Sequence, residues 1–348
     1  MKHYNLESQD NYCVNCSLPA NFPGVHFDDK GVCNFCTDYI SRGYQKNRKT
    51  EFRLKFESLI KEHQGKSTYD ALICYSGGKD STYTLAVIKE KYKLNVLAVS
   101  FDNGFIPEQT LTNISNVVET LGVDHIMIKP RFDVLAKIFR YCSVTDVYAP
   151  KALERSSAIC TSCMGIIKYS ALRMAIEKNI PFIVYGWSPG QAPVHSSILK
   201  NNSQMVRMMQ KVLYDRLFQI VGNVIRPYFL EDKHFIESVS FPYNINPLSF
   251  LDYNIEDIFK NIERFGWEKP KDVDANSTNC LLNSFGNCVH KQRLGFHPYA
   301  FEMANLVREG YIDRTTALKR IYQQENPHTV ELVKKKLGLM ENPFSDKM

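Results

Sequence analysis

Short apolar runs alternate with amphipathic segments through the middle of this chain. Apolar runs predict β-strands, and longer segments with apolar residues every three or four positions predict helices. The predicted strands are Ala71–Cys74, Asn95–Ser100, His125–Ile128 and Phe182–Tyr185, and the predicted helices between them include Thr82–Tyr92, Gln109–Leu121 and Ile166–Lys178. Strands that alternate with helices indicate an α/β fold, with a parallel sheet covered by helices on both faces.

The pattern changes on both sides of this alternation, which predicts four regions. Residues 1–40 are rich in loops and cysteines, and 41–63 have the amphipathic spacing of a connecting helix. Residues 64–215 contain the alternating strands and helices and form the predicted sheet domain. From 216 to 348 the alternation fades, which predicts a mainly helical region for substrate binding or oligomerisation.

The most informative segment is 76–81, with the sequence SGGKDS, between the first predicted strand and its helix. Two adjacent glycines let the backbone approach an anion closely, and the amides at a helix start point toward it. Lys79 adds positive charge, while Ser76 and Ser81 offer hydroxyls to phosphate oxygens. Asp80 is placed to cap the helix or to hold a divalent metal ion. The segment predicts a phosphate-binding loop, although it lacks the spacing of a Walker motif.

Two further loops follow predicted strands and reach the same edge of the sheet. In parallel sheets, ligands bind beyond the carboxyl ends of the strands. We expect Asp102, after the second strand, to contact ribose, adenine or a metal ion, or else to cap its own turn. Gly186, after the fourth strand, would let adenine or the α-phosphate approach. Three loops at one edge predict a nucleotide site.

Composition limits the class of protein. The chain has 348 residues, of which 44% are hydrophobic and 23% charged, as in soluble globular proteins. No apolar run approaches the roughly 20 residues that cross a bilayer, and the N-terminus lacks the apolar core of a signal peptide. We therefore expect a cytoplasmic protein without a membrane partner. The net charge of +6 permits nucleic acid without requiring it.

Ten cysteines in a cytoplasmic chain are better explained as metal ligands or redox groups than as disulfides. The first group consists of two CxxC pairs, Cys13 with Cys16 and Cys33 with Cys36. Two such pairs close together can surround one metal ion with four thiolates. This arrangement predicts a structural zinc site, because it leaves no position open for catalysis.

A second group begins with Cys160 and Cys163, which precede a predicted helix. Thiols at a helix start have lowered pKa values and make good nucleophiles or metal ligands. Cys280 is the candidate third ligand, and Cys288 competes with it. Three thiolates that hold a [4Fe-4S] cluster would leave one iron open to carry sulfide. The same residues could form a catalytic pair that makes a persulfide or disulfide, a second zinc site or part of the packing.

The segment SGGKDS resembles the signature of PP-loop ATP pyrophosphatases. The resemblance implies an HUP-like ATPase core that cleaves ATP between the α- and β-phosphates and transfers AMP to a substrate oxygen. Mg²⁺ and Lys79 would neutralise the charge that develops on pyrophosphate. The residues expected to bind the nucleotide are Ser76, Gly77, Gly78, Lys79, Asp80, Ser81, Asp102 and Gly186, and those expected to act in catalysis are Lys79, Asp80, Cys160 and Cys163.

Within this superfamily the chain resembles the tRNA 2-thiolation enzymes. The resemblance rests on the N-terminal cysteine pairs, the SGGKDS loop and the segment from Cys160 to Lys168. In that family a CxxC pair and a later cysteine hold a [4Fe-4S] cluster, and Cys160, Cys163 and Cys280 would be their counterparts. The chain departs from that family at Cys36, where histidine is common, and in lacking a second zinc finger.

The chain also resembles the N-acetyl sugar amidotransferases of surface-polysaccharide biosynthesis. This resemblance rests on Gly31–Cys36, Phe265–Trp267, Leu306–Gly310 and Arg314–Leu318. It implies that adenylation of an acetamido oxygen lets ammonia from a partner glutaminase replace that oxygen. The alternative from another functional class is a nucleotide-binding regulatory module, which the intact Lys79 and Asp80 disfavour.

The two resemblances imply different partners. The expected substrate is a tRNA or a small molecule such as a nucleotide sugar, with a sulfur donor or a glutaminase as protein partner. We expect a homodimer. A basic run contains His290, Lys291, Arg293 and His297, and it could receive an anionic substrate, although histidines in such loops are more often surface residues.

Overall fold

A computed structural model of the protein describes residues 12–41, 46–271, 273–274 and 276–339. The N-terminal residues on which the signal-peptide expectation rests lie outside these ranges. Six strands form one sheet in the order β3-β2-β1-β4-β6-β5. They are β1 (Ala71–Cys74), β2 (Val96–Phe101), β3 (Asp124–Ile128), β4 (Phe182–Tyr185), β5 (Ile198–Lys200) and β6 (Tyr243–Ile245). All neighbours pair in parallel except β5, which runs antiparallel to β6 at the edge.

Helices connect these strands and make up most of the C-terminal region. The helices of the described residues are α1 (Asn34–Ser41), α2 (Lys46–His63), α3 (Lys79–Ala86), α4 (Glu108–Leu121), α5 (Phe132–Val144), α6 (Ala158–Glu177), α7 (Ser203–Val221), α8 (Ile255–Glu263), α9 (Leu282–Leu294), α10 (Ala300–Arg308), α11 (Arg314–Tyr322) and α12 (Pro327–Leu337). A π-helical turn, Val87–Lys91, continues α3. The predicted α/β fold is confirmed.

Alternate residues of each central strand face two separate apolar cores. Leu72 and Ile183 face the core that contains α5, α6 and α9, whereas Ile73 and Val184 face the core that contains α3, α4 and α8. Side chains alternate across a strand, so helices on both faces are needed to bury it. The two cores cover both faces of the sheet, and the SGGKDS segment follows β1 at the carboxyl ends of the strands.

Several element bounds differ from the predicted ones by one to three residues, and the larger differences are two extra strands and the start of α6. Strands β5 and β6 were not predicted, because three residues are too few for a recognisable pattern. Helix α6 begins at Ala158 and not at Ile166, so the second CxxC pair lies inside the helix. Ser157 is its N-cap, and its side chain accepts from the backbone N–H of Cys160.

Within the described ranges, α6 is the one helix that is long and apolar enough to cross a membrane by length and composition. However, 56% of its apolar window is buried inside the protein. It packs against β1, β4, α5, α7 and α9. We therefore interpret α6 as a core helix.

The N-terminal cysteine region packs on the C-terminal helices. Phe22 stacks on Phe301 of α10 with 5.3 Å between ring centroids, and it meets Phe296 edge-on at 5.2 Å. Arg314 of α11 donates from Nε to the carbonyl oxygen of Cys13 at 3.0 Å. The two ends of the chain therefore share one small apolar core beside the sheet domain.

Candidate active site

The SGGKDS segment turns tightly at Gly77, between β1 and α3. Gly77 has a φ of +75°, and a Cβ atom there would lie 2.7 Å from Cγ1 of Ile114 and 2.8 Å from Cγ2 of Thr110. Both the conformation and the available space require glycine. The indole Nε1 of Trp267 donates to the carbonyl oxygen of Gly77 at 2.9 Å. The C-terminal region therefore packs directly on this loop.

Hydroxyls and amides of the loop are held by short contacts. The hydroxyl oxygens of Ser76 and Ser81 lie 3.0 Å apart, and Ser81 donates to the carbonyl oxygen of Gly78 at 3.0 Å. The backbone N–H of Lys79, the first residue of α3, donates to Oγ1 of Thr278 at 3.1 Å. A glycine turn that leads into a helix N-terminus is an arrangement that binds phosphate groups.

The side chains of Lys79 and Asp80 form an ion pair beside Tyr253. Nζ of Lys79 lies 2.7 Å from both carboxylate oxygens of Asp80 and 3.0 Å from the Tyr253 hydroxyl oxygen. The Tyr253 hydroxyl donates to Oδ1 of Asp80 at 3.0 Å. Burial raises the pKa of Tyr253, so its hydroxyl stays protonated. The Lys79 ammonium group is thus paired with the carboxylate of its neighbour in this structure.

A cavity of about 560 Å³ opens in front of the loop. Its walls come from the ends of β1, β2 and β4, the start of α6, the segment 276–283 and α10. The predicted site residues that line it are Ser76, Gly78, Lys79, Asp80, Ser81, Cys160, Cys163, Gly186 and Cys280. One cavity therefore contains the phosphate-binding loop and all three thiols of the second cysteine group. Cys288 does not line it.

The three thiols lie around two asparagine side chains. Nδ2 of Asn103 is 3.6 Å from Sγ of Cys163 and 3.4 Å from Sγ of Cys280, and Nδ2 of Asn283 is 3.9 Å from Sγ of Cys160. The three sulfur atoms do not all lie within 4.8 Å of one another. Thiolates around one zinc ion would be about 3.8 Å apart, because each Zn–S bond is about 2.3 Å. The three thiols therefore do not have the spacing of a single tetrahedral zinc site in this structure.

The acidity of these thiols contradicts the expectation from the sequence. Burial raises the pKa of Cys160 to about 11, and it also raises the pKa of Cys163 and of Cys280. The expected lowering is wrong because the cost of burying a thiolate exceeds the gain from nearby hydrogen bonds. These side chains are therefore protonated thiols at neutral pH until a metal or cluster replaces the proton.

Charged side chains from other elements complete the cavity wall. Glu302 of α10 accepts a hydrogen bond from the Ser188 hydroxyl at 2.7 Å, and burial raises the pKa of its carboxyl to about 7. Arg155 and Lys168 line the same cavity, and burial lowers the pKa of Lys168. The cavity thus offers cations to an anionic substrate and a carboxyl group that titrates near neutral pH.

Asp102 contacts its own turn and Lys129, and it does not face the cavity as a nucleotide contact would. Its Oδ1 accepts from the backbone N–H of Gly104 at 2.8 Å, and its Oδ2 lies 3.0 Å from Nζ of Lys129. It does not line the cavity, whereas the next residue, Asn103, does. The structure therefore matches the turn-capping alternative for Asp102.

Gly186 lines the cavity, and the structure gives a reason for glycine other than nucleotide approach. A Cβ atom at this position would lie 2.5 Å from Cα of Ser81 and 2.7 Å from its backbone nitrogen. The loop after β4 therefore presses on the first turn of α3. Contact of Gly186 with the nucleotide stays a prediction.

The four N-terminal thiols are buried and lie within 4.8 Å of one another. Sγ of Cys13 is 3.8 Å from Sγ of Cys36, and Sγ of Cys16 is 3.6 Å from Sγ of Cys33. These distances match the edges of about 3.8 Å in a tetrahedral tetrathiolate site. Arg308 donates from Nη1 to Sγ of Cys16 at 3.0 Å, which favours the thiolate form. The four residues fit one structural metal ion.

A third polar group contains Asp274, His297 and Glu325, whose ligand atoms also lie within 4.8 Å of one another. The backbone N–H of Tyr299 donates to Nδ1 of His297 at 3.1 Å, so the ring proton is on Nε2, 3.5 Å from a Glu325 oxygen. Lys291 lies 3.1 Å from the same oxygen. Lys291 and Glu325 therefore form an ion pair beside His297. His290 and His297 are both buried, contrary to the surface location expected for them.

The sequence did not reveal several residues of this site. Asn103, Tyr253, Thr278 and Glu302 reach the loop or the cavity from separate segments that carry no motif. A signal was available for Asn103 alone, since it lies in a loop after a predicted strand. The others depend on how the C-terminal region folds back over the sheet edge.

Comparison with known families matches part of the sheet domain. Residues 70–162 match the family model described as queuosine biosynthesis protein QueC. An uncharacterized protein of Methanocaldococcus jannaschii is 22% identical over 329 residues, which cover 94% of this chain and 98% of that protein. A second uncharacterized protein of the same organism is 28% identical over 131 residues, or 33% of this chain and 27% of its own length.

Three of the solved structures similar to this chain match most of its length. The U34-tRNA thiolase NcsA from Methanococcus maripaludis, with its [4Fe-4S] cluster, is 18% identical with a TM-score of 0.36, covering 95% of this chain and 99% of its own. NMN synthetase from Francisella tularensis is 13% identical with a TM-score of 0.38, and the match covers 85% of this chain and 98% of that protein. An NH3-dependent NAD synthetase from Campylobacter jejuni is 11% identical with a TM-score of 0.36, and the match covers 88% of this chain and 97% of that protein.

The fold and the loop agree with the class that the signature suggested. A largely parallel sheet and an SGGKDS loop between β1 and α3 are features of PP-loop ATP pyrophosphatases. Residues 70–162, which contain this loop, match a family model of that superfamily. The core of the sheet domain is therefore of the PP-loop class.

Proposed function

We propose that this protein attaches AMP from ATP to a carbonyl or amide oxygen of its substrate and that sulfur then replaces this oxygen. The observation that carries the proposal is the shared cavity of the SGGKDS loop and the thiols of Cys160, Cys163 and Cys280. AMP is attached to the substrate oxygen, and sulfur then attacks the carbon bonded to that oxygen. The groups that carry out the two steps must therefore lie in the same cavity.

Adenylation uses the residues of the loop. The substrate oxygen attacks the α-phosphorus, the bond from that phosphorus to the bridging oxygen breaks, and pyrophosphate leaves with the electron pair. Lys79 and the amides at the start of α3 stabilise the charge on pyrophosphate. Asp80 lines the cavity and would hold the Mg²⁺ that accompanies ATP. On binding ATP, Lys79 would leave Asp80 for the phosphates, and Asp80 would then be free to hold Mg²⁺.

Replacement of the oxygen requires a sulfur nucleophile. Hydrosulfide attacks the activated carbon, and AMP leaves with the former substrate oxygen. A [4Fe-4S] cluster held by Cys160, Cys163 and Cys280 would supply sulfide at its open iron. Burial keeps these three side chains protonated on their own, so the free thiols are poor nucleophiles at neutral pH. Both the ligand role and the catalytic role need thiolates, so the ligand role rests on the three thiols that share one cavity with the SGGKDS loop.

The substrate and the other cofactors follow from the same cavity. Arg155 and Lys168 suit a substrate that carries phosphate, either a tRNA or a nucleotide-linked small molecule. The sulfur comes from a separate donor. We assign Zn²⁺ to the four N-terminal thiols, which hold the C-terminal helices and lie outside the cavity. A cytoplasmic homodimer remains our expectation for the assembly.

Anaerobic purification followed by iron and sulfide analysis tests the proposal. We expect a brown protein with about four iron atoms per chain, as one [4Fe-4S] cluster requires. Cys160→Ser, Cys163→Ser and Cys280→Ser should each lose the cluster and the sulfur product formed with total tRNA or UDP-N-acetylglucosamine, ATP and sulfide. Cys288→Ser is the matched control, since this thiol lies in the same C-terminal region but outside the cavity, and it should keep the cluster.

A colourless protein that forms AMP and pyrophosphate with ammonia and an acetamido sugar would contradict sulfur transfer. That result would identify the amidotransferase reaction in its place. A protein that binds ATP without releasing pyrophosphate under any of these conditions would point to the regulatory module.

A further inference from the structure

The hydroxyl of Tyr253 contacts both charged side chains of the phosphate-binding loop. It accepts from Nζ of Lys79 at 3.0 Å and donates to Oδ1 of Asp80 at 3.0 Å. Tyr253 itself is 7% exposed and does not line the cavity. The residue therefore acts on the loop from behind, through Lys79 and Asp80, and has no direct access to ATP.

The position of Tyr253 is supported by a second tyrosine. Its ring meets the ring of Tyr311 edge-on, with 5.4 Å between centroids. Lys49 of α2 is hydrogen-bonded to the Tyr311 hydroxyl and lies 3.2 Å from an oxygen of Glu309. Aromatic pairs of this geometry restrict both rings. The Tyr253 hydroxyl is thus presented to the loop by buried packing.

Nucleotide binding has to separate Lys79 from Asp80. In this structure each neutralises the other, and their side chains are only 15% and 21% exposed. Phosphate oxygens of ATP need the lysine, and a metal ion on those phosphates needs the carboxylate. When Lys79 turns to the phosphates, Asp80 loses its cationic partner. The Asp80 carboxylate then loses both hydrogen bonds from Lys79. Among the described residues, it keeps the hydrogen bond that the Tyr253 hydroxyl donates.

We propose that Tyr253 is a positioning residue that keeps Asp80 directed into the cavity for the metal ion bound with ATP. The proposal rests on the proposed function, because it takes the SGGKDS loop as the ATP site. A neutral donor suits this role, since it orients the carboxylate without cancelling the charge that attracts the metal. A second lysine at this place would compete with the metal ion.

The test is Tyr253→Phe, which keeps the ring and removes the hydroxyl. Titration calorimetry with ATP in excess Mg²⁺ and again in EDTA separates the metal-dependent gain in affinity from binding of the nucleotide itself. We expect Tyr253→Phe to reduce the Mg²⁺-dependent gain on the order of tenfold, as for loss of a hydrogen bond to a charged group. Affinity in EDTA should stay within about twofold of the wild-type value, since that binding uses Lys79 and the amides.

Tyr311→Phe is the matched control, because it removes the same group from the neighbouring ring, away from Asp80. It should leave the Mg²⁺-dependent gain unchanged, whatever it does to the melting temperature. An unchanged gain in Tyr253→Phe, or an equal loss of affinity in Mg²⁺ and in EDTA, overturns the proposal. Lys79→Ala separates this failure from that of the proposed function: full ATP affinity in Lys79→Ala would mean that the loop is not the ATP site at all.

Discussion

At the scale of single residues, burial controls the chemistry of the cavity. Glu302 is the clearest case, because burial raises the pKa of its carboxyl from 4.5 to about 7. The value of about 7 also includes the charge of Asp80, which raises the pKa, and Lys79 and the hydrogen bond from Ser188, which lower it. Between pH 4.5 and about 7 the folded protein therefore keeps a proton on Glu302 that the unfolded chain has already lost.

Glu302→Gln tests this proton through stability. Between pH 4.5 and 7 the folded state binds more protons than the unfolded state, so Glu302 makes the free energy of unfolding fall as pH rises. Glutamine does not titrate and can still accept from Ser188. Chemical denaturation from pH 5 to pH 8 should show that Glu302→Gln gains on the order of 2 kcal/mol relative to the wild type across this range. Parallel pH profiles for the two proteins would contradict the raised pKa.

Residues of the phosphate-binding loop were predictable because their chemistry is local. SGGKDS is one uninterrupted segment between a strand and a helix, and all its cavity-lining members were named in advance. The acidity of Cys160 was not predictable, since a helix start lowers a thiol pKa only where solvent or charge supports the thiolate. At the start of α6, burial raises the pKa of Cys160 instead. Tyr253 and Glu302 carried no local signal.

At the scale of elements, the loop after β4 fixes the start of α3. Gly186 touches the backbone of Ser81 so closely that a methyl group has no room. Backbone atoms cannot move aside as a side chain can, so any larger residue has to shift the SGGKDS loop itself. The contact links the fourth strand to the phosphate-binding end of the helix.

Gly186→Ala should therefore damage ATP binding as well as stability. We expect a loss of about 1–3 kcal/mol in the free energy of unfolding from overpacking, with a clear loss of ATP affinity. Gly65→Ala is the control, because Gly65 has a φ of +75° and no atom within 4 Å of the added methyl group. It should lose about 1–2 kcal/mol to backbone strain and keep its ATP affinity. Equal ATP affinity in both variants would show that this contact does not position the loop.

Periodicity predicted the elements that are long enough to show it. Strands β1 and β4 have the predicted bounds, and α4 and α6 lie where apolar spacing indicated helices. Strands β5 and β6 have too few residues for any period; β6 pairs with β4, and β5 pairs with β6. The start of α6 was placed too late, because Ser157 caps a polar first turn that contains Cys160.

At the scale of the whole molecule, the N-terminal thiols and the C-terminal helices depend on each other. Phe22 packs between Phe296 and Phe301, and Arg308 reaches the sulfur of Cys16. Helix α10, which carries Phe301, also carries Glu302 into the cavity. A metal ion held by these four thiols would therefore support one wall of the cavity from outside.

Removing that metal should loosen α10 along with the thiol region. We expect Cys16→Ser to lose one equivalent of zinc by elemental analysis and to increase hydrogen exchange over residues 296–308. Loss of a structural zinc ion removes several kcal/mol of folding free energy, so the melting temperature should also fall. Cys288→Ser, which changes a thiol outside both groups, should retain zinc and normal exchange. Unchanged exchange in zinc-free Cys16→Ser would contradict the coupling.

Long-range packing is what the sequence could not show at this scale. Trp267, Thr278 and Tyr253 close over the SGGKDS loop from the region predicted only as helical. Their contacts span more than 170 positions in the chain, and no local pattern encodes them. The division into regions 1–40, 41–63, 64–215 and 216–348 stays a prediction, although the last region contributes β6 to the sheet.

The central claim is that the SGGKDS loop cleaves ATP between its α- and β-phosphates. The most direct test follows ATP labelled at the α-phosphate, incubated anaerobically with the protein, Mg²⁺, sulfide and total tRNA or UDP-N-acetylglucosamine. We expect labelled AMP with an equal amount of pyrophosphate from the wild type, and neither product from Lys79→Ala. Labelled ADP as the product, or undiminished AMP formation by Lys79→Ala, would contradict it.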